Sequence, residues 1–191
     1  MKLAYGFQIF ARQIKHLFTS RGQTKMLKKK ICILGSFSVG KTSLLRRFVS
    51  NTFSDEYLTT VGVKVEQKLI RSNDKDLTLV VWDIHGDDAY QRLQKSYLRG
   101  AAGYFLVVDG TREQSFEVAL EIRQRFVEQL ADIPGVFLVN KCDLEDDWKL
   151  GSAEFEKIES LGMPLLKTSA LTGQKVEKAF ALLSELMLSD G

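Results

Sequence analysis

The stretch Gly35-Ser36-Phe37-Ser38-Val39-Gly40-Lys41-Thr42 constrains this chain more than any other. It follows the apolar run Ile31-Cys32-Ile33-Leu34 and leads into Leu44, Leu45 and Phe48 at helical spacing, so it reads as strand, loop, helix. The loop carries the pattern G-x-x-x-x-G-K-[ST], and each fixed position has a phosphate-binding reason. Gly35 and Gly40 let the backbone curl so that successive N–H groups, from Ser38 and Val39 through Gly40 to Ser43, converge on an anion. Lys41 places a charge near the β- and γ-phosphates, and the Thr42 hydroxyl is a ligand for Mg²⁺. The helix that starts here adds the positive end of its dipole. A glycine-rich turn can match this pattern by chance, but the strand before it and the helix after it argue against that reading.

The rest of the chain repeats the alternation. Strands are predicted at Ile31–Leu34, Val61–Ile70, Leu77–Trp82, Tyr104–Val108, Val136–Val139 and Pro164–Lys167. Helices are predicted at Lys41–Val49, Asp88–Tyr97, Glu113–Leu130, Ala153–Leu161 and Gln174–Leu188. The long third helix reads as amphipathic, with Phe116, Leu120, Arg123 and Val127 spaced along it. The polar turn Ser72–Asp76 signals one hairpin. Strands that are apolar throughout and alternate with helices specify an α/β fold. It has six strands, mostly parallel, with one antiparallel hairpin strand and helices on both faces.

Charge divides the chain in two. Residues 1–30 hold eight basic side chains and no acid, so the remainder is net acidic at −5. The basic pI of about 8.8 therefore belongs to the tail and gives no reason to expect nucleic-acid binding by the core. Within residues 1–27, Leu3, Phe7, Phe10, Ile14 and Leu17 follow a helical period with basic and polar residues between them. This extension reads as a helix on an anionic membrane, an organelle transit peptide, or a helix docked on the domain. Equally, it reads as a stretch upstream of a natural start at Met26. Residues 28–191 then form one domain. Two cysteines without metal-ligand spacing point to a reducing, cytoplasmic setting, with membrane contact reversible and confined to the basic extension.

Two further motifs select the ligand. Asp83 closes a strand and is followed by Ile84-His85-Gly86; the carboxylate suits a Mg²⁺ shell and the Gly86 N–H suits a γ-phosphate. An Asp-x-x-Gly turn is common, so this motif alone says little. Asn140-Lys141-Cys142-Asp143 stands 100 positions after the loop lysine and is followed by Thr168-Ser169-Ala170-Leu171. The Asp143 carboxylate can accept two hydrogen bonds from adjacent guanine N–H groups, whereas adenine would leave it unpaired. A backbone N–H of the Ser169-Ala170 turn can serve the guanine carbonyl.

With these residues the chain resembles the Ras superfamily of small GTPases and its Rab-like branch, including compact bacterial proteins of that type, from about Lys30 to Leu188. The likeness rests on Gly35–Thr42, Thr60-Val61-Gly62, Trp82–Gly86, Asn140–Asp143, Ser169-Ala170 and the Rab-type segment Ser96-Tyr97-Leu98-Arg99-Gly100-Ala101. It implies a GTP/GDP switch with Mg²⁺ as cofactor. By the same resemblance Thr60 ligates Mg²⁺ and senses the γ-phosphate, Phe53 packs on guanine and Tyr57 covers the phosphates. Switch II starts at Asp83 and includes Tyr90 and Leu93, and Lys41, Thr60, His85, Gly86 and Asp87 are the candidate catalytic residues. Effectors at the two switches, an exchange factor and an activating protein are the implied partners.

The chain departs from the family at four places. Asp87 stands where the family has the glutamine that orients water, beside His85 in place of alanine. Phe37 and Ser38 occupy loop positions where the family has small residues, the second a glycine. Val65 replaces a phenylalanine of the Rab aromatic cluster that Trp82 and Tyr97 otherwise match. The final residues Met187–Gly191 contain no cysteine, so no prenyl anchor is expected at that end. Three functions compete: a slow GTPase switch, a non-hydrolysing GTP-binding scaffold, and a P-loop kinase or ATPase. The last gives Asn140, Lys141 and Asp143 nothing to do.

Overall fold

The computed structural model describes residues 27–49, 57–60, 63–84 and 95–189, with Tyr57–Thr60 described by backbone only. Strand β1 (Leu27–Leu34) starts four residues earlier than predicted. It is followed by α1 (Lys41–Val49), β2 (Tyr57–Thr60), β3 (Val63–Ser72), β4 (Lys75–Ile84) and the single turn α2 (Lys95–Leu98). Then come β5 (Ala101–Asp109), α3 (Glu113–Arg125), α4 (Val127–Leu130) and β6 (Gly135–Asn140). A 3₁₀ turn at Glu145–Asp147, α5 (Ser152–Ser160), β7 (Leu165–Lys167) and α6 (Val176–Ser189) complete the order. The six predicted strands are all present, and β2 adds a short antiparallel ribbon at the edge. The sheet order is β2-β3-β4-β1-β5-β6-β7; β4, β1, β5, β6 and β7 run parallel, and β3 is antiparallel to β4.

Alternation along the central strands explains how both faces are covered. Ile31, Ile33, Phe105 and Val107 point to one side, where α1 and α6 close the core with Leu44, Phe48, Phe180 and Leu183. Cys32, Leu34, Leu106 and Val108 point to the other, against Phe116, Ile122 and Phe126. Burial pushes the Cys32 thiol up to about 12, which leaves it an inert core group. Phe180 stacks on Phe48 with centroids 3.6 Å apart and meets Phe105 edge-on at 4.9 Å, so one ring joins both helices to the sheet.

The structure corrects two sequence expectations. The helix predicted over Glu113–Leu130 breaks at Phe126, whose φ of −111° and ψ of 24° divide α3 from α4. Its buried stripe is Phe116, Ala119, Ile122, Phe126 and Leu130, whereas Val127 faces solvent at 43% exposure. Phe116 belongs both to this stripe and to the spacing read from the sequence, and Leu120 packs half-buried against the same cluster, while Ala119 and Ile122 take fully buried positions. The hairpin between β3 and β4 turns on Asn73 and Asp74 alone, both at positive φ, as a two-residue type I′ turn requires. The predicted helix Asp88–Tyr97 is described only at Lys95–Leu98.

The chain order reverses at β1, so the carboxyl ends of β1, β4, β5, β6 and β7 open on one edge, where an α/β sheet binds its ligand. Phe180→Ala removes the ring shared by α1, β5 and α6. It should cost about 3–5 kcal/mol and lower the thermal midpoint by on the order of 10 °C, measured by circular dichroism.

Candidate functional site

The loop after β1 has the backbone that its glycines were expected to permit. Gly35 and Gly40 lie at φ of 146° and 97°. A Cβ on Gly35 would sit 2.2 Å from the Val107 carbonyl oxygen, and one on Gly40 would sit 2.3 Å from Asn140 Nδ2. Neither position tolerates a side chain. Ser38 also has positive φ, 60°, where an L-residue costs about 1 kcal/mol. The Lys41 ammonium donates to the Gly35 carbonyl at 2.9 Å and to the Ser36 carbonyl at 2.7 Å. Burial pulls Lys41 down to about 8, with Asp83 opposing and Arg112 reinforcing the shift. A buried cation held only by carbonyl dipoles and one carboxylate is suited to a polyanion.

Thr42 and Asp83 meet: the Thr42 hydroxyl donates to Asp83 Oδ2 at 2.6 Å, and Asp83 is fully buried. A half-buried hydroxyl in the first turn of α1, joined to a buried carboxylate, gives two hard oxygen donors beside the loop, which fits Mg²⁺. The backbone of Thr60 lies in β2 beside Val63 of β3. Phe53, His85, Gly86 and Asp87, with Tyr90 and Leu93, lie outside the described residues, as do the side chains of Tyr57 and Thr60.

At the end of β6, Asn140 is 1% exposed and reaches two other segments, the phosphate loop and the turn after β7. Its Nδ2 donates to the Val39 carbonyl at 2.9 Å, while its Oδ1 accepts from the Ala170 N–H at 3.1 Å and the Thr168 hydroxyl at 3.3 Å. The Ala170 N–H, one expected donor to a guanine carbonyl, is thus engaged with Asn140. Ser169 is buried and closes the turn, its hydroxyl accepting from Thr172 N–H at 3.0 Å, and Leu171 stands at the rim, 73% exposed. Arg47 of α1 fastens this turn by donating to the Ala170 and Leu171 carbonyls. Asp143 is half-buried at the same rim, and no described residue donates a hydrogen bond to it.

Lys141 turns away from this rim. Its φ is 66°, and its ammonium donates to Asp109 Oδ2 at 2.6 Å. Asp109, fully buried at the end of β5, escapes the motif reading. Its Oδ1 accepts from the Thr111 N–H and hydroxyl at 3.0 and 2.7 Å, and its Oδ2 also accepts from Arg112 Nε at 2.9 Å. Arg112 in turn donates through Nη2 to the Phe37 carbonyl at 2.7 Å. The available signal was an acid that closes an apolar strand, the same feature that singles out Asp83.

The Ras family model matches residues 30–189. The chain belongs to the Ras family. It is 33% identical over 160 residues to the Ras-related protein Rab-3C of Bos taurus, covering 83% of this chain and 70% of that protein. It is 34% identical to the Ras-related protein Rab-3A of Homo sapiens over 83% of this chain and 73% of that protein. This member of the Ras family is therefore a Rab-like small GTP-binding protein, and guanine nucleotide and Mg²⁺ are the ligands of its family. The Val65 departure falls where the Rab resemblance places the partner surface: Val65 and Trp82 are directly opposed on β3 and β4. Lys30 lies 3.7 Å from the Trp82 ring centroid.

Burial alone would raise the Asp109 carboxyl, but hydrogen bonds from Lys141, Thr111 and Arg112 outweigh it and hold the group below the usual carboxylate range. A depressed folded-state pKa contributes stability above the unfolded value of about 3.9, and this is lost as pH falls through the folded value. Asp109→Asn should lower the thermal midpoint by roughly 5 °C at pH 7. The difference from the natural protein should shrink as the pH is lowered below about 4; a difference that stays constant with pH would contradict this assignment.

Proposed function

We propose that this chain is a Mg²⁺-dependent GTP/GDP switch that hydrolyses GTP slowly and resists activation by an arginine supplied in trans. Lys41 and the loop N–H groups hold the β- and γ-phosphates, and the Asp143 carboxylate reads guanine. Thr42, Asp83 and Thr60 would hold Mg²⁺, which supplies charge neutralisation between the β- and γ-phosphates when bound. Thr60 and Gly86 contact the γ-phosphate, so their segments relax after hydrolysis and release an effector. An exchange factor and an activating protein are the expected regulators.

The observation that carries the slow-hydrolysis reading is Phe37. Its side chain is 59% exposed on the phosphate loop, where an incoming arginine has to pass. Arginine fingers contribute factors of about 10³–10⁵, so obstructing one outweighs most single contacts. Asp87 works in the same direction. A carboxylate in the water-orienting position repels the γ-phosphate and offers no amide hydrogen bond to the transition state. His85, beside it, is the titratable group that could relay a proton through water.

A non-hydrolysing scaffold is the second reading, favoured by the same two residues. The basic extension at residues 1–27 is the segment for reversible attachment to an anionic membrane surface, from an otherwise cytoplasmic setting.

Single-turnover hydrolysis of bound GTP in Mg²⁺ tests the proposal. The natural protein should turn over slowly but measurably, and Asp87→Gln or Phe37→Gly should accelerate it, the former by about tenfold or more. No acceleration in either variant contradicts the assigned obstruction. No hydrolysis by the natural protein or the variants supports the scaffold.

A further inference from the structure

The phosphate loop is held by its carbonyls. Lys41 takes those of Gly35 and Ser36, Asn140 takes that of Val39, and Arg112 takes that of Phe37. In a trans peptide the carbonyl and the following N–H point in opposite directions. A donor that holds the Phe37 carbonyl therefore fixes the direction of the Ser38 N–H. This peptide most needs holding, because Ser38 stands at φ of 60° without being glycine, and both Phe37 and Ser38 are exposed. We propose that Arg112 is a positioning residue of the nucleotide site: bridging buried Asp109 and the Phe37 carbonyl, it aims the Ser38 N–H at the phosphates.

The bridge depends on the shape of the guanidinium. Nε donates to Asp109 Oδ2 at 2.9 Å while Nη2 donates to Phe37 at 2.7 Å, so one rigid plane spans the two partners. Its anchor is itself fixed. Asp109 is fully buried, its own N–H donates to the Ser115 hydroxyl at 2.9 Å, and its carboxylate also holds Lys141 at 2.6 Å. Arg112 cannot swing away from the loop without leaving its half of that carboxylate. A continuous path of side chains thus runs from the Asn140–Asp143 motif through Lys141, Asp109 and Arg112 to the phosphate loop. A lysine at position 112 would keep the charge, but its single nitrogen is a point donor without the two-ended reach.

The inference rests on reading the site as one for a guanine nucleotide, and its test separates the two. GDP and guanosine affinities are measured by competition on the full chain in Mg²⁺ for the natural protein, Arg112→Ala and Arg112→Lys. Guanosine has no phosphate to meet the loop. Arg112→Ala should weaken GDP roughly tenfold while guanosine stays within about twofold, since a hydrogen bond between a charged donor and the loop is lost. Arg112→Lys should behave like Arg112→Ala. Unchanged GDP affinity in Arg112→Ala overturns the proposal. Equal weakening of GDP and guanosine also overturns it, because that marks general structural damage. Full recovery in Arg112→Lys overturns it too, because charge rather than the bridge would then be acting. Absence of GDP binding by the natural protein overturns the guanine reading itself, and the inference with it.

Discussion

The amide of Asn140 is the interaction on which the site depends. One buried side chain donates to the Val39 carbonyl in the phosphate loop and accepts from Thr168 and Ala170 in the turn after β7. Three loops that leave the sheet at different strands are thereby held in one arrangement. Gly40 is the counterpart of this contact: its missing Cβ makes room for the Asn140 nitrogen, as well as permitting the positive φ. With little water at this depth, an unpaired amide or carbonyl would be costly, so the three loops are energetically tied to one another.

A second, charged junction lies beside the first. Register pairs Asp109 with Asn140 at the ends of β5 and β6, so the two hubs are neighbours across the sheet. Asn140 organises the loops by neutral hydrogen bonds, and Asp109 gathers Lys141, Thr111 and Arg112 around a buried carboxylate. The lysine of the Asn140–Asp143 motif thus faces inward to Asp109, while Asp143 remains at the rim. Asn140 and Lys141 of the motif thus build the framework, and the proposed reading of guanine falls to Asp143.

Most of the fold is legible in the sequence because the periods are clean. The unbroken apolar strands and the Lys41–Val49 helix come from patterning, and the loop between them from its glycines. What escapes has a physical reason. Ala119 carries the inward stripe of α3 where a bulkier residue draws attention, and the break at Phe126 arises from packing rather than from proline or glycine. Asp109 and Arg112 escape because the partners that give them a role, Lys141 and Phe37, lie 32 and 75 positions away, distances that only the folded register closes. Asn140 was visible as part of a motif, but its structural role was not, since the motif reading looks outward to the base. The departures at Phe37 and Ser38 were visible too, and the structure adds their consequences: an exposed ring on the loop, and a left-handed serine that follows a carbonyl held by arginine.

Among the described residues of this Ras family member, the phosphate loop, the Thr42–Asp83 pair and the turn fixed by Asn140 are assembled at one edge of the sheet, with the Phe37 ring exposed on the loop. The central claim is that Asp143, presented beside a turn fixed by Asn140, selects guanine. The direct measurement is calorimetric titration of the nucleotide-free full chain with GDP and with ADP in Mg²⁺. GDP is predicted to bind at least about 10⁴-fold more tightly, the discrimination expected when the site's acceptor is paired by one base and abandoned by the other. ADP binding within tenfold of GDP would contradict the account.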